Sequence, residues 1–324
     1  MPSPKVVISV LNWNNWQATE TCLKAVRQQT YAHWQIVVVD NASKYIPKSF
    51  CRDFPEVTLL QLSKNQGYAG GHLATVRWTR KQNFDLLWIL NNDAIPQPDA
   101  LAALVEAWQE QPDALYGSIT LQADGTINYG GGSLVLNNQI VDGSYNPLYG
   151  LPYETVKEQL VKRPVGELNG ASLLIPFHII RKYGFIDTRY FLYCEETDYC
   201  HKLWRVGIPS FVIPQSVVVH QGAVSFTLNR SLEYVRTYYR TRNQLLLDKK
   251  YRRISNKIIR KELADYLDIA DFFIRHYVHQ WFGRTSHHTH EYYLRYFRIL
   301  ATFHALVGIR GKYVAPEKFL HPTD

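Results

Sequence analysis

No stretch of about 18 apolar residues occurs in this 324-residue chain, so nothing in it reads as a membrane-crossing helix. Cysteine is scarce. Cys22, Cys51, Cys194 and Cys200 form no CxxC pair of the metal-binding kind, and thiols of this sort stay reduced in the cytosol. A secretory leader is also missing: Met1-Pro2-Ser3-Pro4-Lys5 runs straight into an apolar strand. The glycine-rich turns match neither the dinucleotide nor the Walker pattern, and no internal repeat is evident. Together these absences predict a cytoplasmic protein, with room for peripheral contact with the inner face of the plasma membrane.

What is present is a globular core. The hydrophobic fraction is 46%, and the length suits one large or two ordinary domains. Charge is unevenly spread. Residues 1–229 carry 18 Lys/Arg against 19 Asp/Glu, whereas residues 230–324 carry 18 against 9. The boundary therefore predicts a first domain over 1–229, with halves of about 1–110 and 111–229, and a basic, aromatic helical region over 230–324. Such a region suits an anionic membrane, nucleic acid or a second copy of the chain; a solvated helical face explains it equally.

Strand and helix signals alternate in the first part. Apolar runs predict strands at 5–11, 35–39, 57–62 and 85–90, separated by helices at 16–29 and 70–81 and followed by one at 98–109. This order implies a parallel sheet with helices on both faces. Turn residues around Gly130-Gly131-Gly132, Asn137-Asn138 and Asp142-Gly143 predict hairpins, and 143–163 an exposed loop with a short helix. A strand at 168–175, a helix at 195–206 and short strands at 210–213 and 217–219 follow. The pattern is helical from 231 to about 309.

The most informative junction is Leu86-Leu87-Trp88-Ile89-Leu90 running into Asn91-Asn92-Asp93. A bare apolar strand belongs inside a parallel sheet, and its carboxyl end lies at the rim where ligands bind. An aspartate there can hold a divalent cation or a metal-bound phosphate. Asp40 ends the 35–39 strand in the same way and could accept from a ribose or a base, or form an Asx turn. Asn65-Gln66-Gly67-Tyr68-Ala69-Gly70-Gly71 opens a helix where backbone could approach a phosphate.

Three carboxylates cluster in Glu195-Glu196-Thr197-Asp198. Acidic residues in a first helical turn commonly just complement the helix dipole. Periodicity separates them. The apolar stripe Tyr199, Cys200, Leu203 and Val206 extends back to Glu196, while Glu195, Asp198, Lys202 and Arg205 share the polar face. A carboxylate on the buried side can serve as a general base. His220 ends a Val-rich strand and could complete a metal site or be structural. Arg240 and Arg242 could pair with a diphosphate or simply be solvated. His287, His288 and His290 have no spaced partner and are assigned to a loop or helix start.

In order and spacing these segments resemble family 2 glycosyltransferases of the GT-A fold, in particular the rhamnosyltransferase-like branch. The matching pieces are Val10–Asn14, Val38–Ser43, Asn65–Gly71, Leu90–Asp93, Leu168–Ser172, Gly184–Asp187 and Glu195–Asp198, extended by His220 and Tyr239–Asn243. The resemblance covers about residues 5–245. It implies an α/β nucleotide-diphospho-sugar transferase fold: a mostly parallel central sheet flanked by helices, with a helical C-terminal extension. It implies inverting transfer of a hexose, such as rhamnose, from a dTDP- or UDP-linked donor to a saccharide or lipid-linked acceptor in cell-surface polysaccharide synthesis. By it, Leu11, Asn12, Trp13 and Asp40 flank the nucleobase, and Asn65, Gly67, Asn92 and Arg242 hold ribose and diphosphate. Asp93, with His220, binds Mg2+ or Mn2+. Glu196 is the general base, and Glu195, Asp198, Gly170 and Ala171 line the acceptor side. Two departures stand out. The usual paired aspartates become Asn91-Asn92-Asp93, and the base position carries Glu where Asp is frequent.

Two rivals remain on sequence grounds. A sugar nucleotidyltransferase would open with a glycine-rich loop bearing Arg or Lys, which residues 9–16 lack. A non-catalytic nucleic-acid binder would use the basic tail but leaves Glu196, Asp93 and Asn65 without a role.

Overall fold

The computed structural model describes residues 3–132, 134–136, 139–142, 146–220, 230–251 and 290–319. By internal contacts the chain divides into two compact units. The first is Met1–Thr188 with Glu195–Val224, and the second is Arg189–Cys194 with Ser225–Asp324.

In the first unit, strands β1 (Val6–Asn12), β2 (Trp34–Asp40), β3 (Thr58–Gln61) and β4 (Leu86–Asn91) pair in parallel in the order β4-β1-β2-β3. Helices α1 (Trp16–Val26), α2 (Phe50–Asp53) and α3 (Gly67–Trp78) make the crossovers between them. The apolar runs have no polar alternation because both faces of the strands are covered. Val7, Val37, Val39, Leu87 and Ile89 enter one core cluster. Their pleat neighbours Val6, Ile8, Val10, Ile36, Val38, Leu86, Trp88 and Leu90 enter the other. Each fully buried aliphatic side chain contributes roughly 1.5–3 kcal/mol, which anchors the strands and lets their polar ends be held at fixed positions. Helices α1 and α4 (Ala100–Glu110) supply Leu23, Val26, Leu101 and Leu104 to the second cluster.

The sheet is not wholly parallel. It continues from β4 through β11 (Ser172–Pro176), β6 (Leu115–Leu121) and β12 (Ser210–His220) to β10 (Arg163–Val165), with β11 antiparallel to both neighbours. Because β11 is reversed, its beginning lies at the same rim as the ends of β1, β2 and β4; Ser172 faces Leu90. The two short strands expected at 210–213 and 217–219 are one strand, β12, with a register shift between Ile213 and Val217. Pro214 lies in that shift, where it has no N–H to give a regular ladder. Short strand β5 (Ala94–Pro96) zips antiparallel onto the end of β12, with Ala94 opposite His220.

The expected hairpins appear as β7 (Ile127–Tyr129), antiparallel to β6, and as the β8 (Leu134–Leu136) and β9 (Gln139–Asp142) pair. Asn137, Asn138 and Gly143 lie outside the described residues. The short helix predicted after them is α5 (Tyr153–Val156). Helices α6 (Phe177–Tyr183) and α7 (Glu195–Trp204) complete the unit.

In the second unit, α8 (Arg230–Tyr251) packs on α9 (His290–Leu306). Aromatic rings fill the seam: Tyr234 stacks on Phe297, and Tyr238 donates to or accepts from His304 Nδ1 at 2.6 Å. Much of the aromatic content assigned to a surface is thus core, since Tyr238, Tyr239 and Phe297 are buried. His290 opens α9, while His287, His288 and the helical pattern expected over 252–289 fall outside the described residues. No helix among the described residues is long and apolar enough to cross a membrane.

Candidate active site

The parallel register brings Asn12 beside Asp40 and Leu11 beside Asn91 at one rim. The Asn12 side chain braces that rim. It is fully buried, its Nδ2 donates to Asp40 Oδ1 (3.3 Å) and Ser43 Oγ (3.1 Å), and its Oδ1 accepts from Thr19 Oγ1 (2.9 Å). The side chain of Asn12, expected beside the nucleobase, thus has its donor and acceptor groups committed within the protein. Asn92 is similarly engaged, its Nδ2 donating to Asn15 O at 3.2 Å and Thr19 Oγ1 at 3.1 Å. Leu11 and Trp13 are half-buried, and the indole N–H of Trp13 is shielded from solvent without a partner. Asp40 accepts from Ser43 N at 3.3 Å through both oxygens.

Asn41, which sequence reasoning passed over, organises the turn before α3. Its Oδ1 accepts from Gln66 N (2.8 Å), and its Nδ2 donates to Asn65 Oδ1 (3.1 Å) and Gly67 O (3.2 Å). Asn65 Oδ1 in turn accepts from Gly67 N at 2.9 Å. Gly67 has φ +73°, a left-handed conformation that favours glycine. Gly71 is required by close approach: a Cβ there would lie 2.2 Å from Leu11 Cδ1. The turn is therefore rigid, with a helix N-terminus beside it.

The two residues proposed for a cation meet. Asp93 Oδ1 lies 3.2 Å from His220 Nε2, and both are largely buried. The β5–β12 zipper produces this contact across the intervening sequence. Asn91 Nδ2 approaches the same His220 nitrogen at 3.3 Å, another residue missed, although it stands on the strand axis where a rim contact is expected. One carboxylate oxygen and one imidazole nitrogen suit a divalent cation completed by phosphate oxygens and water. Among the described residues no group of three or more His, Cys, Asp or Glu converges, so an all-protein cage does not fit.

Asn91 N donates to Ala171 O at 3.1 Å, which ties this pair to Gly170-Ala171. A Cβ on Gly170 would lie 3.4 Å from Glu196 Oε1, so the base candidate stands over that glycine. The helical wheel misjudged its neighbours. Glu195 and Asp198, expected on a polar face, are 2% exposed, whereas Val206 is 51% exposed. Periodicity alone cannot show that a helix is covered on more than one side. Burial raises both glutamates above the usual carboxylate range, and the charge of Glu196 pushes Glu195 up further. Hydrogen bonds from its own N–H and that of Gly170 oppose the shift at Glu196. The Oε2 of Glu196 is shielded from solvent without a partner.

Arg242 is not placed as expected. It belongs to the second unit, is fully buried, and commits its guanidinium to Tyr190 O (2.9 Å), Gly311 O (2.8 Å) and Asn243 Oδ1 (2.9 Å). Asn243 Nδ2 donates to Tyr190 O, Leu192 O and Tyr193 O at 2.9, 2.6 and 3.0 Å. These bonds grip a loop in which Phe191, Tyr193 and Cys194 have φ of +70°, +66° and +68°. Left-handed non-glycine residues cost of order 1–3 kcal/mol each and persist only when held. Arg242→Ala is accordingly expected to destabilise the protein by about 2–4 kcal/mol and to leave nucleotide affinity unchanged. Thermal unfolding paired with UDP and dTDP titration checks this; a normal melt with weakened binding would restore the diphosphate role.

Sheet order and rim together place the chain among α/β glycosyltransferases of GT-A architecture. It belongs to glycosyl transferase family 2, whose family model matches residues 6–178. The chain is 25% identical over 209 residues to an N-acetylglucosaminyl-diphospho-decaprenol L-rhamnosyltransferase of Mycobacterium tuberculosis, covering 59% of this chain and 67% of that protein. It is 22% identical over 220 residues to the dTDP-rhamnosyl transferase RfbF of Shigella flexneri, covering 66% and 71%. The mannosyltransferase PcManGT of Pyrobaculum calidifontis, solved with GDP-Man and Mn2+, shares the fold with a TM-score of 0.56 at 15% identity, over 94% of this chain and 87% of that one.

Proposed function

We propose that this glycosyltransferase moves a hexosyl group, rhamnose being the leading candidate, from a dTDP- or UDP-linked donor to a hydroxyl of a saccharide or lipid-linked acceptor, with inversion. The observation that carries the reading is the continuity from the Asp93–His220 pair through Asn91 and Ala171 to Gly170 and Glu196. In this reading the Asp93–His220 end of that path serves the diphosphate and the Glu196 end supplies the base. The names of the two rhamnosyltransferases above support the choice of sugar.

In this reading Trp13 and Asp40 address the nucleobase, and the Asn65–Gly67 turn and the α3 N-terminus address the diphosphate. Glu196 takes the proton of the acceptor hydroxyl as its oxygen attacks the anomeric carbon. The bond from that carbon to the diphosphate oxygen breaks, and the diphosphate leaves with the electron pair. A single displacement inverts the anomeric centre. Holding both reactants on one rim supplies much of the acceleration. Mg2+ or Mn2+, when held by Asp93 and His220, would supply Lewis-acid stabilisation of the departing charge.

A panel of nucleotide sugars, scored for saturable binding and slow hydrolysis with and without Mn2+, tests the donor assignment. One dTDP- or UDP-hexose is expected to bind best, and only with the cation. Failure of every sugar nucleotide to bind would remove the reading.

Exposed Phe303, Leu306, Val307 and Tyr313, near Arg310 and Lys312, support a lipid-linked acceptor presented at an anionic membrane. Flotation with phosphatidylglycerol vesicles is expected at low salt and should fade at high salt. No flotation at low salt would favour a free saccharide.

A further inference from the structure

Tyr68 follows Gly67 directly and stands in the first turn of α3. Its hydroxyl donates to Gly170 O at 2.6 Å. The same glycine lies against Glu196, and its N–H favours the charged form of that carboxylate. A Cβ on Gly170 would lie 2.6 Å from Tyr68 Oη and 3.4 Å from Glu196 Oε1, so this residue is held between the phenol and the carboxylate. The Tyr68 ring is itself fixed. It packs edge-on against His72 at 4.7 Å, and His72 Nδ1 lies 2.8 Å from Ser9 Oγ on β1. On its other side the backbone of Gly67 is tied to Asn65 and Asn41.

We infer that Tyr68 is a positioning residue that joins the donor-side turn to the general base, holding Gly170 so that its N–H fixes the Glu196 carboxylate. This rests on the reading of Glu196 as the base. Burial and the charges of Glu196 and Glu195 keep the phenol protonated well above its ordinary range, so Tyr68 remains a donor to Gly170 throughout the working pH. A tyrosine that merely filled the core would owe its contribution to the ring, not to the hydroxyl.

Tyr68→Phe separates these roles, because it keeps the ring and deletes one oxygen. We expect kcat to fall about 10- to 50-fold, as a displaced base loses proton-transfer efficiency, with donor KM within about twofold of wild type. The acidic limb of the rate profile should move to higher pH. Glu196 would lose the positioned N–H that favours its charged form, while Glu195 and Cys200, the titratable groups beside it that remain in the variant, supply no replacement donor. UDP and dTDP binding by calorimetry reports whether the variant is folded. A kcat within twofold of wild type, or a parallel loss of kcat and nucleotide binding with an unmoved acidic limb, overturns the inference. Glu196→Gln run alongside distinguishes the two levels. If it transfers sugar normally, the base assignment itself is lost. If it is inactive while Tyr68→Phe is normal, only the link is lost.

Discussion

Glu196→Gln is expected to bind the sugar nucleotide as wild type does and to transfer sugar about 10³-fold more slowly, at the middle of the range for loss of a positioned general base. The amide keeps the size of the carboxylate and can still accept from Gly170 N–H, so the local structure should survive. What disappears is the lone pair able to take a full proton. In the wild-type enzyme the pH profile carries the same information. Burial raises the Glu196 pKa, so activity should climb with pH through a midpoint above the usual glutamate range, and Glu196→Gln should lose that limb. Glu195 has a separate consequence for stability. Its folded-state pKa lies above its unfolded value, so its contribution is fully present below the unfolded pKa and is lost as pH rises through the folded one. Glu195→Gln should therefore flatten the fall in thermal stability toward alkaline pH. An unchanged pH–stability curve in that variant would mean that Glu195 is ionised in the fold.

Asp93→Asn should produce the second large effect. The substitution keeps side-chain size while removing the charge 3.2 Å from His220 Nε2. Loss of the sole carboxylate in Asn91-Asn92-Asp93 leaves His220 without its anionic neighbour, and the donor's own phosphates cannot hold a cation there as well. We expect the cation-dependent part of donor affinity to fall about 10- to 100-fold and kcat to fall with it. Calorimetric titration of the sugar nucleotide with Mn2+ and with a chelator measures this. If wild type and variant bind equally, and the chelator changes neither, the Asp93–His220 pair is structural.

The parts of the molecule legible in the sequence are those fixed by local chemistry. Apolar runs located β1, β2, β4 and β11 because each is buried on both faces, and polar residues at their ends marked the rim. The reversed direction of β11 was not legible, since burial on both faces looks the same in either sense. Nor was the continuity of β12 through Pro214, which local signals split in two. At the site, Asp93 and His220 were named from rim position, Glu196 from helical face and Gly170 through the family resemblance, and the fold brings them onto one connected path. Arg242 was named from residue type and Asn12 through the family resemblance, and the side chains of both are committed to the protein itself. Their partners, Tyr190 and Gly311 for Arg242 and Asp40, Ser43 and Thr19 for Asn12, come from other parts of the chain. Tertiary contacts of that kind leave no trace in local pattern. Tyr68 was hidden for the same reason: its hydroxyl acts on a carbonyl in another strand's approach.

Product analysis of one reaction mixture tests the central claim most directly. Wild type and Glu196→Gln are given the best-binding sugar nucleotide, Mn2+ and an acceptor, and the released phosphate species are identified. The account predicts nucleoside diphosphate from wild type, in step with glycosylated acceptor, and almost none from Glu196→Gln despite normal donor binding. Release of inorganic diphosphate, or turnover by Glu196→Gln at the wild-type rate, would contradict it.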